Sequence, residues 1–229
     1  MSKAHITQAD QVYYGKARYN RAYARQGRPG IQISPETYFQ DFGAIVLADA
    51  DGVSASQSVG AGANFLINGA LATGGVATFD VPRNVVGAWT TNSILTITGT
   101  DEYGSILVEV GASAATFAGK KAFKTITSIV SSASITSATI GSGNVIGLKY
   151  RVNANGLIRA SQTNTIDAAT FVPADATAAT GATGDVRGTV DFATDPDGTR
   201  TYAVFYKVAD PSTKVGAFGV LQFGSTDAA

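Results

Sequence analysis

From about residue 40 onward the chain repeats one unit: a short stretch of alternating apolar and small polar residues, then a cluster of Gly, Asn, Asp or Pro. Alternation of that kind is the signature of a half-buried strand, and the clusters are its turns. The run Phe42-Gly43-Ala44-Ile45-Val46-Leu47-Ala48 predicts a first strand, closed by the turn Asp49-Ala50-Asp51-Gly52. Residues 63–71 and 76–81 flank Thr73-Gly74-Gly75, a hairpin signal, because glycine enters the left-handed region without a Cβ penalty. A second hairpin is predicted for 93–99 and 105–110 around Thr100-Asp101-Glu102-Tyr103-Gly104. Residues 122–130 and 134–140 read as another pair, threonine- and serine-rich on one face. Further strand pairs are predicted for 145–152 with 157–160 across Asn153-Ala154-Asn155-Gly156, and for 185–192 with 201–208 across Asp195-Pro196-Asp197-Gly198. Residues 161–184 read as a long loop or weak edge strand, and 217–223 as a closing strand. No helical period interrupts the series. The expected fold is all-β: an antiparallel β-sandwich, jelly-roll-like, occupying residues 41–229.

The first 40 residues break this pattern. Lys3, Lys16, Arg18, Arg21, Arg25 and Arg28 face only Asp10 and Glu36 there, so the segment carries net +4 and the rest of the chain net −4. Tyr13, Tyr14, Tyr19 and Tyr23 interleave with the arginines, aliphatic residues are too few for a core, and Gly27, Pro29 and Gly30 close the stretch. Residues 1–40 are therefore read as an extended arm that orders on a partner. Tyr13, Tyr14, Arg18, Tyr19, Arg21, Tyr23, Arg25 and Arg28 are its candidate partner-binding residues, since aromatic faces and planar guanidinium groups anchor at low entropic cost. A solvated tail is the plain alternative. A single-strand nucleic-acid contact is the less favoured one, because the whole chain is charge-neutral with 17 basic and 17 acidic side chains.

Composition narrows the chemistry. The 229 residues contain no cysteine and one histidine, His5, which lies in the arm. That removes thiolate metal sites, cysteine nucleophiles and disulfide scaffolds, and leaves no histidine in the body for a Ser-His-acid triad. The two Asp-x-Asp-Gly turns are read as turns in preference to cation loops. Asp101 and Glu102 are adjacent in one loop, whereas a glycosidase pair needs carboxylates converging across a cleft. Gly141-Ser142-Gly143-Asn144-Val145-Ile146-Gly147 lacks dinucleotide-binding spacing and a following helix. Trp89 is assigned to core or interface. The reading is of a non-enzyme without cofactor or metal. Charged residues make up 15% of the chain, low for a bare surface, so a homo-oligomeric interface is expected. The first ten residues lack the apolar region of a secretory signal and no run of about 18 apolar residues occurs, so synthesis in the cytoplasm and no membrane span are expected.

Three segments carry a family resemblance: 93–109 (Ser93-Ile-Leu-Thr-Ile-Thr-Gly-Thr-Asp-Glu-Tyr-Gly-Ser-Ile-Leu-Val-Glu), 119–129 (Gly119-Lys-Lys-Ala-Phe-Lys-Thr-Ile-Thr-Ser-Ile) and 184–189 (Gly184-Asp-Val-Arg-Gly-Thr). They resemble segments of virion proteins of tailed bacteriophages, over roughly residues 60–210. The resemblance implies a head decoration (cement) protein on the capsid exterior, with the major capsid protein as partner. It also implies a homotrimer seated over joints between capsid subunits. A tail, neck or fibre protein of the virion is the alternative location, and a carbohydrate-binding or adhesin module the alternative class.

Overall fold

A computed structural model describes residues 37–175 and 181–208. Fourteen strands form among the described residues: β1 (Thr37–Ala44), β2 (Ser54–Val59), β3 (Ala72–Thr73), β4 (Val76–Ser93), β5 (Leu95–Thr100), β6 (Ile106–Val110) and β7 (Ala114–Ala118). They continue with β8 (Phe123–Ser131), β9 (Ile135–Gly147), β10 (Leu157–Gln162), β11 (Thr165–Asp167), β12 (Thr170–Pro173), β13 (Gly188–Asp191) and β14 (Thr201–Lys207). Every pairing is antiparallel, so the all-β antiparallel body forms as expected. Strands are shared unevenly between two sheets. A four-stranded sheet has the order β1-β14-β10-β11, and a ten-stranded sheet has the path β12-β13-β9-β4-β8-β5-β6.

The spine is the pair β4 and β9. β4 is 18 residues long and changes neighbours along its length. Its first part lies between β3 and β8, its second between β9 and β7. The change falls at Pro82, which has no N–H to donate, and registers shift on both sides of it. Glycines let the layers close at that bend. A Cβ on Gly141 would overlap the backbone of Asp49 and Ala50, and one on Gly143 would strike the Asn84 side chain.

Two cores result. The first holds Phe65, Phe79, Trp89, Leu95, Ile97, Leu107, Phe123, Ile126, Ile129 and Ile140 inside the large sheet, which curls over them as a half-barrel. The second holds Ile146, Leu148, Val190, Tyr202, Val204 and Tyr206, where the small sheet packs on the β13–β9 end of the large one. β9 feeds both.

Several expected pairings are redrawn. Residues 37–40, assigned to the arm, belong to β1, with Tyr38 opposite Tyr206 and Gln40 opposite Val204. The run 42–48 leaves the sheet after Ala44. Residues 63–71 make one isolated bridge, Asn64 to Val130, and no regular strand. Side chains supplement a few backbone bonds there: Phe65 donates its N–H to the Ile129 carbonyl, Gln57 bonds both the N–H and the carbonyl of Leu66, and Asn68 accepts from the Ala55 N–H. β8 and β9 do not pair, because β4 lies between them. The turns at 153–156 and 195–198 form, but β10 pairs with β14 across the small sheet while β9 and β13 stay in the large one. Strands β11 and β12 are short and lie at sheet edges, as expected within 161–184. The predicted strand at 217–223 lies outside the described residues.

Candidate functional site

The candidate arm residues Tyr13, Tyr14, Arg18, Tyr19, Arg21, Tyr23, Arg25 and Arg28 lie outside the described residues. Their point of attachment does not. The described body begins at Thr37, which pairs with Lys207, the last residue of β14. Both terminal segments thus leave the body side by side, from one corner of the small sheet.

The outer face of that sheet is open. Alternation turns Tyr202, Val204 and Tyr206 inward and leaves Thr201, Ala203 and Phe205 outward. Phe39, Phe205 and Arg159 form one cross-strand row, and Asp41, Ala203, Ser161 and Ile166 form the next. Phe39 is 58% exposed and Ile166 71%. Small side chains in the second row leave a groove of about 450 Å³, bounded by Phe39, Phe205 and Arg159 on one side and by Gly43, Asn164 and Thr201 on the other. Gly43 has φ +67° in a β-bulge, with its N–H donated to Asp41 Oδ1 at 2.9 Å. Sequence reasoning missed this surface. Phe39 falls within the stretch read as the arm, whose candidate residues are tyrosines and arginines. The alternation Tyr202-Ala203-Val204-Phe205-Tyr206 held the signal.

A second constellation is buried. Arg187 Nη2 donates to Asp101 Oδ2 at 2.7 Å, with both side chains almost fully enclosed. Asp101 Oδ1 also accepts the Tyr103 and Ser105 N–H groups, and the guanidinium lies 5.2 Å from the Tyr103 ring centroid. Asp185 accepts the N–H groups of Ala122, Arg187 and Gly188. Lys121, fully buried, donates from Nζ to the Gly184 carbonyl at 3.0 Å. Glu109 accepts the N–H groups of Lys120 at 2.6 Å and Lys121 at 3.4 Å. Burial opposes the Arg187 charge, but the facing Asp185 and Asp101 outweigh it and hold the guanidinium above its usual pKa. Burial lowers Lys121, against the pull of Asp185 and Glu109.

Glu109 responds to pH. Burial pushes its carboxyl up to about 7, against the lowering by the two N–H bonds and Lys121. Between pH 4.5 and 7 the unfolded chain has released this proton and the folded chain keeps it, so stability falls as pH rises. At about 1.4 kcal/mol per pH unit the loss is bounded at roughly 3–4 kcal/mol. The Glu109→Gln variant should differ from wild type by a margin that grows in its favour from pH 5 to pH 8, read by urea unfolding. Parallel stability curves would show an exposed carboxylate.

The remaining sequence candidates resolve into structure. Asp101 is committed to Arg187, so it forms no cleft pair with Glu102. Asp197 caps its own turn: Oδ1 accepts from the Thr199 and Arg200 N–H groups and Oδ2 from the Arg200 guanidinium, holding the carboxyl down at about 2. Asp49 likewise accepts the Asp51 N–H, and no group of three metal-ligating side chains occurs among the described residues. Trp89 is buried in the first core, one of the two places assigned to it. Tyr206 donates its hydroxyl to Gln40 Oε1, and Tyr202 to the Asp195 carbonyl. Gly141 and Gly143 admit close packing instead of cradling phosphate. Among the described residues no helix is long and apolar enough to cross a membrane. Compared with known protein families, curated proteins and solved structures, the chain matches none.

Proposed function

We propose that this chain is a structural virion protein of a tailed bacteriophage: a decoration protein that binds over joints between major capsid subunits and stabilises the head. The observation that carries the reading is the meeting of the three segments that resemble virion proteins. Residues 93–109, 119–129 and 184–189 are joined by Asp101–Arg187, by Asp185 to the Ala122 N–H, by Lys121 to the Gly184 carbonyl, and by Glu109 to the Lys120 N–H. They make one buried clasp, and its charged groups bond to the body itself. Such a body suits a brace.

The exit of both terminal segments at one corner supports an attachment role, since a tethered arm adds affinity without enlarging the body interface. The major capsid protein is the partner on this reading, and three copies around one joint would multiply the effect. Cryo-electron microscopy of intact particles is the test. Density for the β body over capsid joints on the outer surface is expected, in threefold clusters. Density confined to the tail, neck or fibres would replace the decoration role with the alternative location.

A further inference from the structure

We propose that the groove across the outer face of the small sheet is a docking site for residues 215–223 of the same chain. This stands apart from the virion reading and requires no capsid. The groove has an apolar wall, Phe39 and Phe205, and a floor of small groups, Ala203 and Ser161. A floor of that shape accepts a protruding side chain from an extended segment. Residues 215–223 read Val-Gly-Ala-Phe-Gly-Val-Leu-Gln-Phe: four large apolar side chains besides Val215, no charge, and glycines on either side of the Ala217-Phe218 pair. Left in water, such a segment exposes a contiguous apolar stretch, as the groove does.

The path is short. β14 ends at Lys207, four residues beyond Ala203 on the same strand, or about 13 Å at a strand's rise. A segment resting on a sheet lies about 10 Å above it, so the return from Lys207 to a point over Ala203 spans roughly 17 Å. Residues 208–214 reach up to about 23 Å when extended. Asp210-Pro211, directly after Val208 and Ala209, is suited to reversing the chain.

The other terminal segment starts from the same corner but fits less well. It brings Lys16, Arg18, Arg21, Arg25 and Arg28 to a groove whose charged groups are Arg159 and Asp41. One carboxylate beside a guanidinium offers no acidic field to that many cations. The uncharged segment meets no such conflict.

The absence of cysteine from the chain allows a direct test on the full-length protein. Thr201→Cys on the groove rim is combined in turn with Ala217→Cys, Gly219→Cys and Gln222→Cys. Disulfide formation, with oxidised glutathione as the two-electron oxidant, is followed by non-reducing electrophoresis, with Trp89 fluorescence confirming a folded body. Docking should make at least one pair close about tenfold faster than the same tail cysteine paired with Ala63→Cys in the other core's outer loop, because it raises effective concentration. The product should be monomeric and its rate independent of dilution. Adding Phe205→Asp to the groove wall should return the rate to the control value. Equal rates for all pairs would overturn the proposal. A disulfide-linked dimer would assign the groove to a second copy, and faster closure of Thr201→Cys with Tyr19→Cys would assign it to the arm. Either result overturns it too.

Discussion

On the proposed decoration role, deleting residues 1–30 is expected to leave the β body folded and to reduce its affinity for capsids by at least about a hundredfold. The first half follows from β1: the sheet begins at Thr37, six residues beyond the cut, and Tyr38 and Gln40 keep their partners on β14. Tyr38 also stacks edge-on against Tyr150 and Tyr206, contacts that the deletion does not reach. The second half follows from the arm's composition. A fully enclosed aromatic or arginine anchor contributes on the order of 2 kcal/mol, a rim charge well under 1. Two such anchors among Tyr14, Tyr19, Tyr23, Arg18, Arg21 and Arg25 already give a factor of about a thousand. Replacing the three arginines with alanine should weaken binding partially, and more at low salt, where the Debye length exceeds about 10 Å and the wild-type attraction is least screened. Sedimentation of particles with wild-type and truncated protein reads the difference. Undiminished binding by the truncated body would move the attachment to the sandwich.

The distribution of what could be read from the chain follows the range of the forces involved. Local turn chemistry was legible. Gly74 and Gly75, at φ +61° and +79°, close the hairpin of β3 and β4 with Thr73 opposite Val76, and β5 and β6 flank the loop around Gly104. Strand partners beyond the next turn were not. Alternation says which face is buried but not which strand lies alongside, so β4 could enter between β8 and β9 without any local mark. Its length was hidden by Pro82, which reads as a strand end and here sits at a register shift inside an 18-residue strand. The buried charges were hidden for a related reason. Asp101 and Arg187 are 86 positions apart, and each looks like an ordinary loop residue until the fold encloses both. The outer groove needed β1 and β14 to be neighbours, which the sequence does not state.

Breaking the Asp101–Arg187 pair is expected to destabilise the body by about 3–5 kcal/mol for either single substitution, because each leaves a buried charge without its partner. Asp101→Asn keeps the side chain's size and its ability to accept the Tyr103 and Ser105 N–H groups, yet removes the charge facing the guanidinium. Asp185 would then be the one carboxylate facing Arg187, whose Nη1 already lacks a hydrogen-bond partner. Arg187→Met preserves the stem and strands the Asp101 carboxylate instead. The double variant Asp101→Asn, Arg187→Met should lose less than the sum of the two, since neither charge then remains uncompensated. Trp89 is the one tryptophan and sits in the adjoining core, so its fluorescence in urea reports the unfolding of all four proteins. Single variants within about 1 kcal/mol of wild type would mean that water reaches the pair. Additive losses would mean that each side chain acts through the backbone it holds. A sub-additive double variant, with singles at several kcal/mol, is what a closed clasp requires, and it would make the junction of residues 93–109 and 184–189 the mechanical centre of the body.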